Sequence, residues 1–102
     1  MDFVAFLSFK PSISAAERDQ GLARRAAWQY PKGIRLIAEY WPASATAQVV
    51  SIFSADSFEP IMELDLEWSD VFDIDVSPAV SAEEGLKTGV EVFGRLPRLQ
   101  QG

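Results

Sequence analysis

Residues 63–76, ELDLEWSDVFDIDV, alternate acidic and apolar side chains almost without interruption. A two-stranded hairpin and a helix that runs into a strand both accommodate the pattern, and they lead to different folds. As a hairpin, ELDLEW and VFDIDV would flank a two-residue turn at Ser69-Asp70. Tight two-residue turns need positive φ and favour Asn-Gly or Asp-Gly, so Ser-Asp is a poor choice. The helical reading is better supported upstream. Asp56 precedes Glu59 by three residues, a capping-box spacing, and with Ser57 as the cap instead, Pro60 falls in the first turn, where a missing N–H costs little. Ile61, Leu64 and Trp68 then share one stripe headed by Phe58, while Glu63 and Glu67 face outward. The stripe is narrow, because Asp65 interrupts it and Leu66 lies off it. The spacing predicts a helix over 57–68 and a strand over 71–77.

The remaining elements follow from the same rules. FVAFLSF, residues 3–9, is apolar on both faces and suits a central strand covered on both sides. Ser14 and Glu17 form a capping-box pair that opens a helix running to about Gln29. Its apolar line is expected through Ala15, Leu22 and Ala26 toward Tyr30, with Arg18, Arg24 and Arg25 mostly outside it. Gly21 weakens that helix by roughly 1 kcal/mol relative to Ala. IRLIAEYW, residues 34–41, reads as a strand closed by Pro42, and QVVSIFSA, residues 48–55, as the next. In the last segment Ser81 and Glu84 have capping spacing, and Leu86, Val90 and Phe93 recur at i, i+4 and i+7 before Gly94 and Pro97. Gly85 and Gly89 make this helix weak alone, so it is expected to need a packing partner; a short strand through VEVFGRL is the rival reading.

Composition narrows the chemistry. The chain has 102 residues, one domain's worth, with 48% apolar and 24% charged residues, a globular balance. It has no Cys and no His. Disulfides, thiolate nucleophiles and His-based serine triads are therefore excluded, and a zinc, copper or nickel site would rest on carboxylates alone. Gly-rich phosphate loops and nucleophile elbows are absent, so no cofactor is expected. MDFVAFLSFK has no basic n-region and is a poor signal peptide, and no apolar stretch approaches the roughly 18 residues of a membrane span. A cytoplasmic setting is the default expectation. The net charge of −6 argues against nucleic acid and anionic membrane as partners. The charge is segregated: residues 1–35 carry +3, 36–86 carry −11 with no Lys or Arg, and 87–102 carry +2. A basic face meeting an acidic one, within the domain or between two copies, fits this pattern, and so does a merely solvated acidic face.

The predicted order is β-α-β-β-α-β plus a C-terminal helix, an α+β, ferredoxin-like arrangement with a four-stranded antiparallel sheet and both helices on one face. Residues 1–80 would form this domain, and 81–102 a C-terminal helix and tail. Three stretches carry a resemblance: the first strand ending SFKP, the segment AAWQYPKGIRLIAEYW, and MELDLEWSDVFDIDVSPAV. Over roughly residues 1–80 the chain resembles the small dimeric α/β-barrel proteins and, among them, an uncharacterised family of unknown function. In that family a histidine often follows the tryptophan of the second strand, whereas Pro42 follows Trp41 here. The resemblance implies a homodimer in which two open sheet faces close on each other.

Strand periodicity then suggests what the open face holds. Strict alternation places Ile34, Leu36, Ala38 and Tyr40 in the helix-side row, and Arg35, Ile37, Glu39 and Trp41 on the other side. In 71–77, Phe72, Ile74 and Val76 form an apolar row, with Asp73 and Asp75 opposite. The open face is thus expected to carry Arg35, Glu39, Trp41, Asp73 and Asp75 around an apolar centre, which suits a dimer interface or a ligand pocket with a few polar anchors. Asp73 and Asp75, about 7 Å apart by strand rise, read as paired carboxylates, as hard-metal ligands with Asp70, or as charges that keep an edge strand soluble. Arg35, Glu39 and Trp41 read either as simple packing and ion pairing, or as the anion clamp, general base and aromatic wall of a site. Trp28, Tyr30 and Trp68 read as core or interface anchors. Arg24, Arg25 and Lys32 read as a solvated basic face or as partners for another subunit's acids. The leading expectation is a homodimer binding a small, partly apolar molecule between its sheets. Catalysis of the kind known among fold relatives, cofactor-independent oxygenation, isomerisation or decarboxylation of small aromatic compounds, is the alternative; an assembly or regulatory module with no pocket is the third.

Overall fold

A computed structural model describes residues 1–97. Seven elements follow one another: β1 (Asp2–Phe9), α1 (Ala15–Ala27), β2 (Ile34–Tyr40), β3 (Val49–Ala55), α2 (Glu59–Trp68), β4 (Phe72–Ala79) and α3 (Ala82–Arg95). The four strands form one antiparallel sheet in the order β2-β3-β1-β4. Residues 63–68 are therefore helical and 72–76 belong to a strand, so the hairpin reading of ELDLEWSDVFDIDV is excluded.

Local chemistry explains the boundaries. Ser14 caps α1 with the full reciprocal box to Glu17. α2 starts later than expected, with Phe58 at its cap position, no side-chain cap bond and Pro60 in the first turn, so neither Asp56 nor Ser57 supplies the cap. β4 extends through Pro78, which is tolerated because β4 is an edge strand. Ser81 caps α3, and VEVFGRL is helical through Arg95, not a strand. The tail expected over the last residues lies outside the described residues from 98 onward. Among the described residues no helix is long and apolar enough to cross a membrane.

The core lies between one sheet face and helices α1 and α2. β3 alternates without a fault: Val49, Ser51, Phe53 and Ala55 are buried and their neighbours half-buried. Ala5, Leu7 and Phe72 complete the buried row, and Ile61, Leu64 and Trp68 of α2 close over it. Fully burying side chains of this size contributes roughly 1.5–3 kcal/mol each. Ring pairs tie the layers together: Phe9 and Phe72 stack at 5.1 Å, and Trp68 meets Phe72 at 5.8 Å.

The inward line of α1 differs from the expected one. Ala15 and Ala26 are exposed, and Gly21 and Arg25 are the buried positions. Gly21 is required by proximity: a Cβ there would stand 2.8 Å from Cγ1 of buried Val71. Gly21→Ala should gain roughly 1 kcal/mol of helix propensity and lose about 1–3 kcal/mol to overpacking against a stiff β-branched neighbour. The expected net result is destabilisation, read as a lower denaturant midpoint; a raised midpoint would show that Val71 yields freely.

Candidate functional site

β2 does not alternate throughout. Ile34, Leu36 and Arg35 pair in register with Ala55, Phe53 and Ser54, but the next partner of β3, Ile52, faces Ala38. Ile37 is the extra residue of a β-bulge, and every side chain beyond it changes face. The expectation that Arg35, Glu39 and Trp41 share the open face is thereby corrected. Glu39 lies opposite Ser51 on the helix side, and Trp41 donates its indole N–H to Glu39 at 2.8 Å. Tyr40, expected in the helix-side core, points to the open side opposite Val50 and is 65% exposed.

Two surfaces result. The open sheet face has an apolar centre in which Val4 pairs with Ile52, and Phe6 and Tyr40 each pair with Val50. Arg35, Asp73 and Asp75 remain on this face, toward its two edges. Arg35 bonds to Ser54 at 3.0 Å and pairs with Asp56 at 3.5 Å, while Asp73 pairs with Lys10 at 3.2 Å. Asp70 is not a third member of an acidic set: both its oxygens accept from Arg24, at 3.0 and 3.1 Å. Among the described residues no group of three acidic side chains converges to hold a metal ion.

The second surface is the corner where the end of α1 meets β2. The Arg25 side chain is fully buried, and its guanidinium donates to Glu39 at 2.7 and 3.4 Å and to the Tyr30 hydroxyl at 2.8 Å. Its central carbon lies 4.4 Å from the Trp28 ring centre, 5.1 Å from that of Trp68 and 5.2 Å from that of Tyr30. One guanidinium nitrogen, Nη1, is buried without a hydrogen-bond partner, in a guanidinium set against three aromatic rings. Tyr30 is bonded to Glu39 and, at 2.7 Å, to Ser51. Beside this network lies an open groove of about 440 Å³, walled by Trp28, Leu36 and Trp41.

The electrostatics follow from this packing. Burial disfavours ionised Glu39, but bonds from Arg25, Tyr30 and Trp41 outweigh it and hold the carboxyl below its ordinary pKa. Burial, and then the bond to ionised Glu39, push Tyr30 up to about 12. Glu39 is thus an anion whose two oxygens already accept four donors, a poor proton acceptor. The basic cluster of α1 is accounted for inside the chain: Arg24 binds Asp70 and stacks over Trp68 at 4.2 Å, and Arg25 is buried. Sequence reasoning missed Arg25, Tyr30 and Ser51 as one network. Ser51, the single polar residue in the buried row of β3, was the available signal that a polar partner must reach it.

A family model described as a domain of unknown function, DUF3303, matches residues 1–93. The chain belongs to this family. No curated protein and no solved structure matches it. The DUF3303 match spans both surfaces, the sheet face and the Arg25 corner, and runs through most of α3.

Removing either member of the buried pair in this DUF3303 chain strands the other. Arg25→Ala and Glu39→Ala should each cost about 3–5 kcal/mol, and the double variant should cost much less than their sum. Because the folded-state pKa of Glu39 is depressed, its contribution is complete above the unfolded-state value near 4.5 and is lost as pH falls through the folded-state value. Chemical denaturation across this acid range should show a flatter pH dependence in Glu39→Gln than in the parent; an unchanged slope would remove Glu39 from the linkage.

Proposed function

We propose that this protein is a homodimeric small-molecule-binding protein, in which residues 1–80 form a ferredoxin-like unit and two such units pair as a dimeric α/β barrel. The observation that carries the reading is the uncovered sheet face. Phe6 and Tyr40 are 41% and 65% exposed there, beside Val4, Val50 and Ile52. A contiguous apolar patch rimmed by polar residues marks an interaction surface. Two curved, twisted faces pressed together leave space between them, and the apolar centre would line it, with Arg35, Asp73 and Asp75 as polar anchors at the edges. The ligand is accordingly small and partly apolar. Glu39 and Trp41, which sequence reasoning placed in this space, belong to the Arg25 corner instead. A cysteine-free, acidic chain suits a cytoplasmic setting.

Sedimentation at micromolar concentration should give a dimer, and Tyr40→Glu or Phe6→Asp should weaken it by at least 100-fold without loss of helical or sheet signal. A monomeric parent would overturn the pairing. For the cavity, a thermal-shift panel of small aromatic acids and neutral aromatics should raise the melting temperature with at least one class. Ile52→Trp, which fills the space, should abolish that shift while the dimer persists; a panel without effect on the parent would remove the ligand from the reading.

A further inference from the structure

α2 carries a row of acids that works against its own helix. Glu59, Glu63 and Glu67 recur at i, i+4 and i+8 with no cation between them. Like charges at this spacing repel, and anions toward the C-terminal end of a helix oppose its dipole. α2 has no basic residue in its last turn to offset them. Among the described residues Glu59, Glu63 and Asp65 have no ion-pair partner, whereas Glu39, Asp56, Asp70 and Asp73 each hold a cation. Packing within the chain therefore gives no reason for this row.

The acids border an apolar ridge. Phe58, Met62 and Leu66 recur at the same spacing as the glutamates and are each at least half exposed. Met62 stands between two hollows. On one side a groove of about 190 Å³ is floored by Ile74 and Val76 of β4 and edged by Asp65. On the other a hollow of about 460 Å³ lies among Glu59, Glu63 and Leu66. The ridge thus has a socket for apolar side chains on either flank, and carboxylates beside both.

We infer that the outer face of α2 docks a basic amphipathic helix of another protein, in the helix-in-groove manner. Charge selects this occupant. Cations flanking the partner's apolar face would meet the unpaired carboxylates of α2 and relieve their mutual repulsion. The chain's own α3 has the wrong charge: Glu83, Glu84 and Glu91 outnumber Lys87 and Arg95, and Lys87 already stands 3.8 Å from Glu84. A second copy brings a net charge of −6. Met62 suits the contact, since an unbranched thioether adapts to the side chains it meets. The site lies on the helix-covered side of the sheet, away from the open face, so the inference stands without the pairing proposed above.

The probe is a labelled synthetic peptide of about five helical turns, with leucines along one face and lysines on its flanks. Fluorescence anisotropy on the full chain, at about 0.15 M salt to screen distant charges, should give a micromolar affinity. A peptide of the same composition with its leucines scattered around the helix should bind at least tenfold more weakly. The same loss is expected with the original peptide in Glu59→Lys/Glu63→Lys and in Met62→Ser/Leu66→Ser, whose positions are all exposed. Phe6→Asp, on the opposite side of the sheet, should leave the affinity unchanged. No binding to the parent would overturn the site, and so would full affinity in either α2 variant. Equal binding of the scattered peptide would reduce the attraction to bulk charge and overturn it too. Binding that appears only when Leu86→Asp is added would give the ridge to the chain's own α3 instead.

Discussion

Placing a guanidinium out of reach of water is the most expensive arrangement in this fold, and the neighbouring structure is organised around meeting that cost. A charge the size of Arg25 carries a desolvation penalty of several kcal/mol even after relaxation. Glu39 supplies the countercharge, Tyr30 a further acceptor, and the faces of Trp28, Tyr30 and Trp68 a polarisable enclosure. They come from three places in the chain: Trp28 and Tyr30 from the loop after α1, Glu39 from β2 and Trp68 from the end of α2. The countercharge arrives only because Ile37 is extruded from the β2 ladder; without that bulge Glu39 would face away from α1. One irregular residue therefore decides both the interior and the outer face, since turning Glu39 inward is what turns Tyr40 outward.

Part of the uneven charge of the chain is met in the same way. Basic residues of the first third meet acids of the middle within one molecule: Lys10 with Asp73, Arg24 with Asp70, Arg25 with Glu39, Arg35 with Asp56. The exposed pairs contribute little individually. They set charge along the flanks of the sheet and leave its open face apolar at the centre, while Glu59, Glu63, Asp65 and Glu67 keep α2 acidic.

The type of almost every element was legible in the sequence, because caps, prolines and hydrophobic spacing are local signals. The resolution of ELDLEWSDVFDIDV rested on turn chemistry at Ser69-Asp70 and on the Ile61, Leu64, Trp68 stripe, both of which act over a few residues. The α2 cap was misplaced because Asp56, Ser57 and Phe58 are nearly equivalent in spacing, and packing selects among them. The site was less legible. Strict alternation fails at a bulge, and a bulge is a property of the strand pair; the consecutive Leu36, Ile37 and Ala38 hinted at one, but only the β3 register reveals it. Arg25 was read as a surface residue because a buried arginine makes sense only once Glu39 and three rings are known to converge on it. Gly21, a weak point by propensity, proved to be the position where α1 comes closest to Val71.

Both borders of the sheet are also spoiled as templates. At one border β2 carries the Ile37 bulge and runs into Pro42; at the other, β4 contains Pro78, which has no N–H to lend, beside acidic Asp73 and Asp75. A sheet whose margins accept another strand can polymerise without limit, as fibrils do. The sheet's exposed apolar surface lies instead on its flat side, around Phe6 and Tyr40. In the pairing proposed above, contact through that flat side is used up by a single companion, so growth would end at two copies.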